Sequence, residues 1–323
     1  MKLVTFKSGG RPRLGAVKDG AVIDMALAAK ANNATLPDDI LALLILGEGG
    51  LQVCRKVLEA ADPGAPYAQP LESADLLAPI PKPTSVRDGY AFRQHVQTAR
   101  ANRGAEMIPE FDEFPVFYFT NHHAIFGPGP VEVMPRHLDR LDFELECAIV
   151  IGKEGRNIPA ARADEHIAGY MVMNDLSARA LQMKEMKLSL GPAKGKDFAT
   201  TLGPWLVTRD ELQDKRIAGA DGDRYDLQMT ARVNGVQTSQ DNLKNMNWTF
   251  AQIIERASYG VRLQPGDVIG SGTCGTGCFL ELNGSGITDN QWLEEGDTVE
   301  LEIEGLGTLR NTITVGSDQQ QWQ

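Results

Sequence analysis

The chain has 323 residues, which at about 150 residues per domain suggests two domains, and its composition of 42% hydrophobic and 23% charged residues is that of a globular protein, not a disordered one. The longest apolar run, residues 40–46, is far short of the roughly 20 residues a membrane-spanning helix needs. The net charge of −11, from 32 basic and 43 acidic residues, repels phosphate backbones and argues against a nucleic-acid partner.

The first six residues lack a charged segment followed by an apolar one, so no secretory signal is expected. Four cysteines are too few for a disulfide scaffold, and a cytoplasmic setting follows. Cys274 and Cys278 have no further ligand pair at zinc spacing, so they read as buried, inert thiols.

In chain order, residues 2–6, 13–17 and 21–24 read as short strands, separated by Gly9-Gly10 and by the hairpin signal Asp19-Gly20. Residues 40–46 and 52–61 have helical spacing; the first stops at Gly47, the second before Asp62-Pro63-Gly64. The proline-rich run at 79–83 is a stiff linker. A small β-rich N-terminal domain is therefore expected at 1–72, ahead of a larger catalytic domain at 73–323. A helix is expected over 88–103, followed by a loop or short helix over 104–114. Residues 142–151 alternate and then turn wholly apolar, as a strand entering a covered sheet does, and 167–173 is another strand. Helices are expected over 177–187 and near 249–257, and strands over 226–233, 267–270, 278–282, 298–303 and 308–315. The fold class is α+β, mostly β.

On a strand, residues two apart face the same side. Asp142, Glu144 and Glu146 then share a face, while Phe143 and Leu145 take the other. Aligned like charges repel unless something neutralises them. Spacing alone leaves two readings open: a hard divalent cation, which prefers oxygen ligands, or a solvated acidic edge. Asp175 ends the run Met173-Asn174-Asp175 at a junction between elements, and Asp88 precedes Tyr90 and His95 at another. Each suits a helix N-cap as well as a site. Glu281 interrupts the apolar run Cys278-Phe279-Leu280-Glu281-Leu282 and calls for a partner.

Five separated motifs resemble the fumarylacetoacetate hydrolase family over about residues 80–305. They are Arg87-Asp88-Gly89-Tyr90 with His95, the Asp142/Glu144/Glu146 strand, Asn174-Asp175 with Arg179 and Gln182, Gly195-Lys196, and Gly272-Thr273 with Leu280-Glu281-Leu282. The resemblance implies the family's mixed β-roll behind a small N-terminal β module. It also implies Mg²⁺ (or Mn²⁺ or Ca²⁺) held by Glu144, Glu146 and Asp175, with Asp88 added as in the longer members and Asp142 in a supporting role. By the same resemblance His95 is the base, oriented by Glu281. Arg179, Gln182 and Lys196 stabilise the oxyanion and grip the substrate carboxylate, and Tyr90, Tyr118 and Thr273 contact substrate. Met186 stands where fumarylacetoacetases carry a substrate-binding tyrosine, which exchanges a hydroxyl donor for a soft apolar group.

The implied activity is divalent-metal-dependent hydrolysis of a C–C bond in a β-diketo acid: fumarylacetoacetate, fumarylpyruvate or another acylpyruvate. Decarboxylation, isomerisation or oxaloacetate tautomerisation on the same metal site is the alternative; the presence of both His95 and Glu281 favours hydrolysis. The partner is a small diketo or oxo acid, and a homodimer is expected. Gly89 and Gly104 flank a polar segment, so 89–113 is expected to be a mobile lid whose closure carries His95 to Glu281.

Overall fold

The computed structural model of the protein describes residues 1–317. An 11-stranded mixed sheet organises the chain. From one edge it runs through Ala68–Pro70, Ala21–Asp24, Arg11–Lys18 and Lys2–Ser8, so the N-terminal hairpins extend the same sheet that carries the site. It continues through Thr200–Thr208, Ile167–Asp175, Leu145–Ile151, Asp267–Gly270 and Ser85–Gly89 to the far edge at Phe117–Thr120. The short strand Ile125–Phe126 pairs in parallel with Thr200–Thr208. A second sheet of five strands is ordered Val236–Asn242, Gln228–Val233, Thr298–Ile303, Gly307–Val315 and Gly129–Val133.

The central strand Leu145–Ile151 is buried on both faces, as its unbroken apolar run requires. Cys147, Ile149 and Ile151 pack into a core shared with Val299, Leu301 and Ile303 of the second sheet and with the helix Phe250–Ser258. Ala148 and Val150 point the other way, into a core roofed by the helices Met25–Ala31, Ile40–Ile45 and Gly47–Ala60. Thr249 and Gln252 cap the start of Phe250–Ser258 reciprocally. Among the described residues no helix is long and apolar enough to cross a membrane.

Local pattern misplaces several elements, each for a long-range reason. The expected helix over 88–103 begins only at Arg93, because residues 85–89 are drawn into the sheet between Asp267–Gly270 and Phe117–Thr120. Ser177 and Ala178 pair with Asp142 and Leu141, which delays the next helix to Arg179–Glu185. The expected strand over 278–282 is the helix Phe279–Gly284. Asp142, 137 residues away, accepts the Phe279 N–H at 2.7 Å and so supplies that helix with its cap. The helix Met25–Ala31, capped by Asp24, lies where no element was expected.

Candidate active site

Neighbouring strands deliver four carboxylates to one corner of the large sheet. Asp88 lies near the end of Ser85–Gly89, Glu146 near the start of Leu145–Ile151, and Asp175 at the end of Ile167–Asp175. Glu144 comes from a break just before the second of these, where its N–H is taken by the Asn174 side chain at 2.9 Å. The strand Asp267–Gly270 runs between those of Asp88 and Glu146, and its last residue has no side chain. A Cβ on Gly270 would lie 2.5 Å from Asp88 Oδ1 and 2.9 Å from Glu146 Oε2. Glycine there lets the two carboxylates approach. One oxygen from each of Asp88, Glu144, Glu146 and Asp175 lies within 4.8 Å of the others, and all four residues are buried.

Two cations face this cluster. Lys196 Nζ donates to Glu144 Oε2 at 2.6 Å and to Asp175 Oδ2 at 2.8 Å. Arg179 donates to Glu144 Oε1 at 2.7 Å. The Tyr118 hydroxyl donates to Asp175, and the Gly272 N–H is shared between Asp88 and Glu146 at 3.1 Å each. Burial acts to raise the Glu144 carboxyl, but Lys196 and Arg179 outweigh it and hold that group below the usual range. The far side of the cluster lacks such help. Asp88 is pushed up to about 7 by burial and then by the charge of Asp175. Glu146 is driven well above the usual carboxylate range by burial and then by Asp88.

The donor set fits a hard divalent cation. Glu146 Oε1 and Asp175 Oδ1 are buried without a hydrogen-bond partner, every candidate ligand atom is a carboxylate oxygen, and Mg²⁺, Mn²⁺ and Ca²⁺ take such ligands. A pH dependence follows. Free carboxyls titrate near 4, whereas folded Asp88 titrates at about 7. The folded state therefore binds that proton more tightly, and the associated stability, present at acid pH, is lost as pH rises toward 7. Glu144 has the opposite sign, but its effect lies at acid pH, outside this window. In chelator-treated protein the melting temperature is expected to fall between about pH 5 and pH 8, and saturating Mg²⁺ to remove that fall. A metal-free melting temperature that rises over the same window would contradict this account.

Beside the cluster, His95 Nδ1 lies 2.6 Å from Glu281 Oε2. His95 sits in the helix Arg93–Ala101 and Glu281 in Phe279–Gly284; they are 5% and 2% exposed. The Tyr90 ring meets the imidazole edge-on, with centroids 5.7 Å apart. Asn102 Nδ2 donates to the Glu281 carbonyl at 3.3 Å, a second tie between the two helices. Asp142 locks this arrangement to the carboxylate cluster. It accepts from the N–H groups of Phe279 and Leu280 at 2.7 and 3.0 Å and from Arg179 Nε at 2.8 Å. Asp142→Ala leaves the buried Arg179 short of a partner and uncaps the helix of Glu281. It is expected to cost on the order of 3–5 kcal/mol in urea denaturation; a loss under about 1 kcal/mol would show that the pair bears little of the fold.

A cavity of ≈ 1210 Å³ opens over these groups. Its lining includes Asp88, His95, Glu144 and Lys196. Tyr90, Tyr118, Gln182 and Thr273 line it as well.

Residues 84–314 match the family model of the fumarylacetoacetate (FAA) hydrolase C-terminal domain. The chain belongs to the fumarylacetoacetate hydrolase family. It is 32% identical over 319 residues to the mitochondrial oxaloacetate tautomerase FAHD2A of Bos taurus, covering 97% of this chain and 91% of that protein. It is 28% identical over 327 residues to the oxaloacetate tautomerase YisK of Bacillus subtilis, covering 97% of this chain and all of that one. Among solved structures, the fumarylacetoacetate hydrolase of Exiguobacterium antarcticum superposes with a TM-score of 0.73 at 27% identity, over 98% of this chain and all of that one.

In this family member the residues named from the motifs fall into two groups: Asp88, Glu144, Glu146 and Asp175 in one, His95 and Glu281 in the other. Lys196 joins the first group directly. Two expectations need correction, the shared face of Asp142 and the lid. Asp142 does not share a face with Glu144 and Glu146, because the strand breaks at 143–144 and its carboxylate turns to the Glu281 helix. The Arg179 nitrogens donate to Asp142, Glu144 and Gln182, and the residue also lines the cavity. His95 needs no lid closure to reach Glu281, since the two are already in contact. Sequence motifs also passed over Arg140, Met183 and Trp292 on the cavity wall. The Arg140 guanidinium lies 5.9 Å from the Trp292 ring centroid, a pairing with no signal in local sequence.

Proposed function

We propose that this protein is a divalent-metal-dependent oxaloacetate tautomerase, interconverting the enol and keto forms of a small 2-oxo diacid. The observation that carries this reading is the likeness to oxaloacetate tautomerases along 97% of the chain. The geometry supports it, because tautomerisation asks only for a proton to be moved between carbon and oxygen. On this reading Asp88, Glu144, Glu146 and Asp175 hold Mg²⁺, Mn²⁺ or Ca²⁺. When bound, that ion polarises the substrate's 2-oxo or enol oxygen and favours the enolate.

The chain's own residues do the rest. His95 transfers the proton at C3, and Glu281, 2.6 Å from Nδ1, fixes the ring's orientation and balances its charge when it is protonated. Lys196 and Arg179 hold Glu144 ionised and in place. Gln182, tethered to Arg179 at 3.0 Å, and Thr273 contact the substrate from the cavity wall. Tyr90 and Tyr118 flank it.

Hydrolysis of a larger β-diketo acid is the second reading, and one observation favours it. A cavity of ≈ 1210 Å³ exceeds the about 300–1,000 Å³ typical of sites for drug-sized ligands, whereas oxaloacetate has four carbons. Ile108, Val116, Met183, Met186 and Ile287 add apolar wall suited to an acyl group. A product-resolved assay separates the two. Freshly dissolved enol-oxaloacetate is expected to lose its enol absorbance faster with enzyme and Mg²⁺, with no new carbon fragments by NMR. Pyruvate plus a carboxylic acid released from an acylpyruvate, at a kcat/KM above that for oxaloacetate, would replace the tautomerase reading with the hydrolase one.

A further inference from the structure

The His95–Glu281 pair has a third neighbour that proton transfer leaves idle. Cys278 is fully buried, and ligand atoms of His95, Cys278 and Glu281 all lie within 4.8 Å of one another. Cys278 occupies the N-cap position of Phe279–Gly284, with its sulfur facing the Glu281 N–H. Asp142 has already taken the N–H groups of Phe279 and Leu280. The helix start is thus held chiefly by Asp142, with the Cys278 sulfur close to both His95 and the Glu281 carboxylate. A sulfur, an imidazole nitrogen and a carboxylate oxygen form a ligand set for zinc. The neighbouring cluster offers carboxylate oxygens alone, which suit a hard ion. Two clusters of different softness thus stand side by side in one site.

We propose that His95, Cys278 and Glu281 form a second metal site, selective for Zn²⁺ and other thiophilic divalent ions, whose occupation arrests the His95–Glu281 pair. The 2.6 Å hydrogen bond between Nδ1 and Glu281 opens to admit the ion, and His95 binds as the neutral ring through Nδ1, with its proton on Nε2. Glu281 binds as the carboxylate and Cys278 as the thiolate, whose proton passes to solvent. Two negative ligands match the ion's charge, so the filled site is neutral. His95 lines the cavity, which lets water take the fourth position of a tetrahedral ion. Once Nδ1 is bound to the ion, Glu281 no longer balances a protonated ring, and proton transfer stops while the hard ion stays in place. The inhibitory consequence rests on the proposed function; the site itself does not.

The test uses the full chain in saturating Mg²⁺ and without substrate, so it stands apart from the tautomerase assay. Cd²⁺ is titrated while thiolate-to-cadmium charge-transfer absorption is followed, and Zn²⁺ affinity is measured against a chromophoric chelator. One equivalent of Cd²⁺ is expected to produce the absorption in the wild type and in Cys274→Ser, and none in Cys278→Ser. Zn²⁺ affinity is expected to fall at least about 100-fold in Cys278→Ser, above the range for losing a group that merely supports a ligand. His95→Gln removes a ligand from the other helix and is expected to weaken Zn²⁺ at least about 10-fold, so the outcome does not hang on one variant folding. Absorption that persists in Cys278→Ser, its absence from the wild type, or unchanged Zn²⁺ affinity in His95→Gln would overturn the site.

Discussion

Asp175→Ala is expected to lower Mg²⁺-dependent turnover by about 10³-fold or more, because the charge stabilisation supplied by a bound metal is worth several kcal/mol. Asp175 is fully buried, and its Oδ1 has no hydrogen-bond partner within the protein, so that oxygen is available to an ion. Glu144→Ala should fall comparably, with the added damage of freeing Lys196 and Arg179 from their shared carboxylate. Both variants should also lose the thermal stabilisation expected of Mg²⁺ in the wild type, about 2.7 kcal/mol at a hundredfold excess over Kd. Calorimetry with and without Mg²⁺ measures this directly, and unchanged Mg²⁺ affinity in both variants would remove the four-carboxylate cluster as the metal site.

His95→Ala is the second large effect, and it separates proton transfer from metal binding. Loss of a general base typically costs on the order of 10²–10⁴ in rate. Because His95 lies outside the carboxylate cluster, the Mg²⁺-dependent rise in melting temperature should survive in the variant. Glu281→Gln should lose less, since the imidazole remains but its orienting and charge-balancing partner does not. Steady-state kinetics beside a Mg²⁺ titration reads both quantities. Wild-type turnover in His95→Ala would mean that the proton moves through another group.

Much of the core was legible in the sequence. The wholly apolar run ending at Ile151 announces a strand covered on both faces, and it lies between the two cores. Asn174-Asp175 at the end of a strand, and Gly195-Lys196 in a loop, meet through the contact of Lys196 with Asp175. The side-chain types were legible too: a buried set of oxygen-rich groups able to hold a hard ion, and a histidine in need of a partner acid.

Facing, partnership and some element types were decided by the tertiary structure. Two-residue periodicity puts Asp142 beside Glu144 and Glu146, but it holds only while a strand is continuous. Pairing of Asp142 with Ser177, and capture of the Glu144 N–H by Asn174, break the strand and turn Asp142 to another duty. The run 278–282 reads as a strand because alternate apolar residues and a short buried helix look alike over five positions. Its helix depends on a cap from Asp142, 137 residues away. The approach of Asp88 to Glu146 across Gly270 comes from three strands in register. The meeting of His95, Cys278 and Glu281 spans a separation of 186 residues between the histidine and the glutamate. Local sequence specifies backbone preference and chemical type; which buried groups neutralise one another is set by contacts that exist only once the sheet has closed.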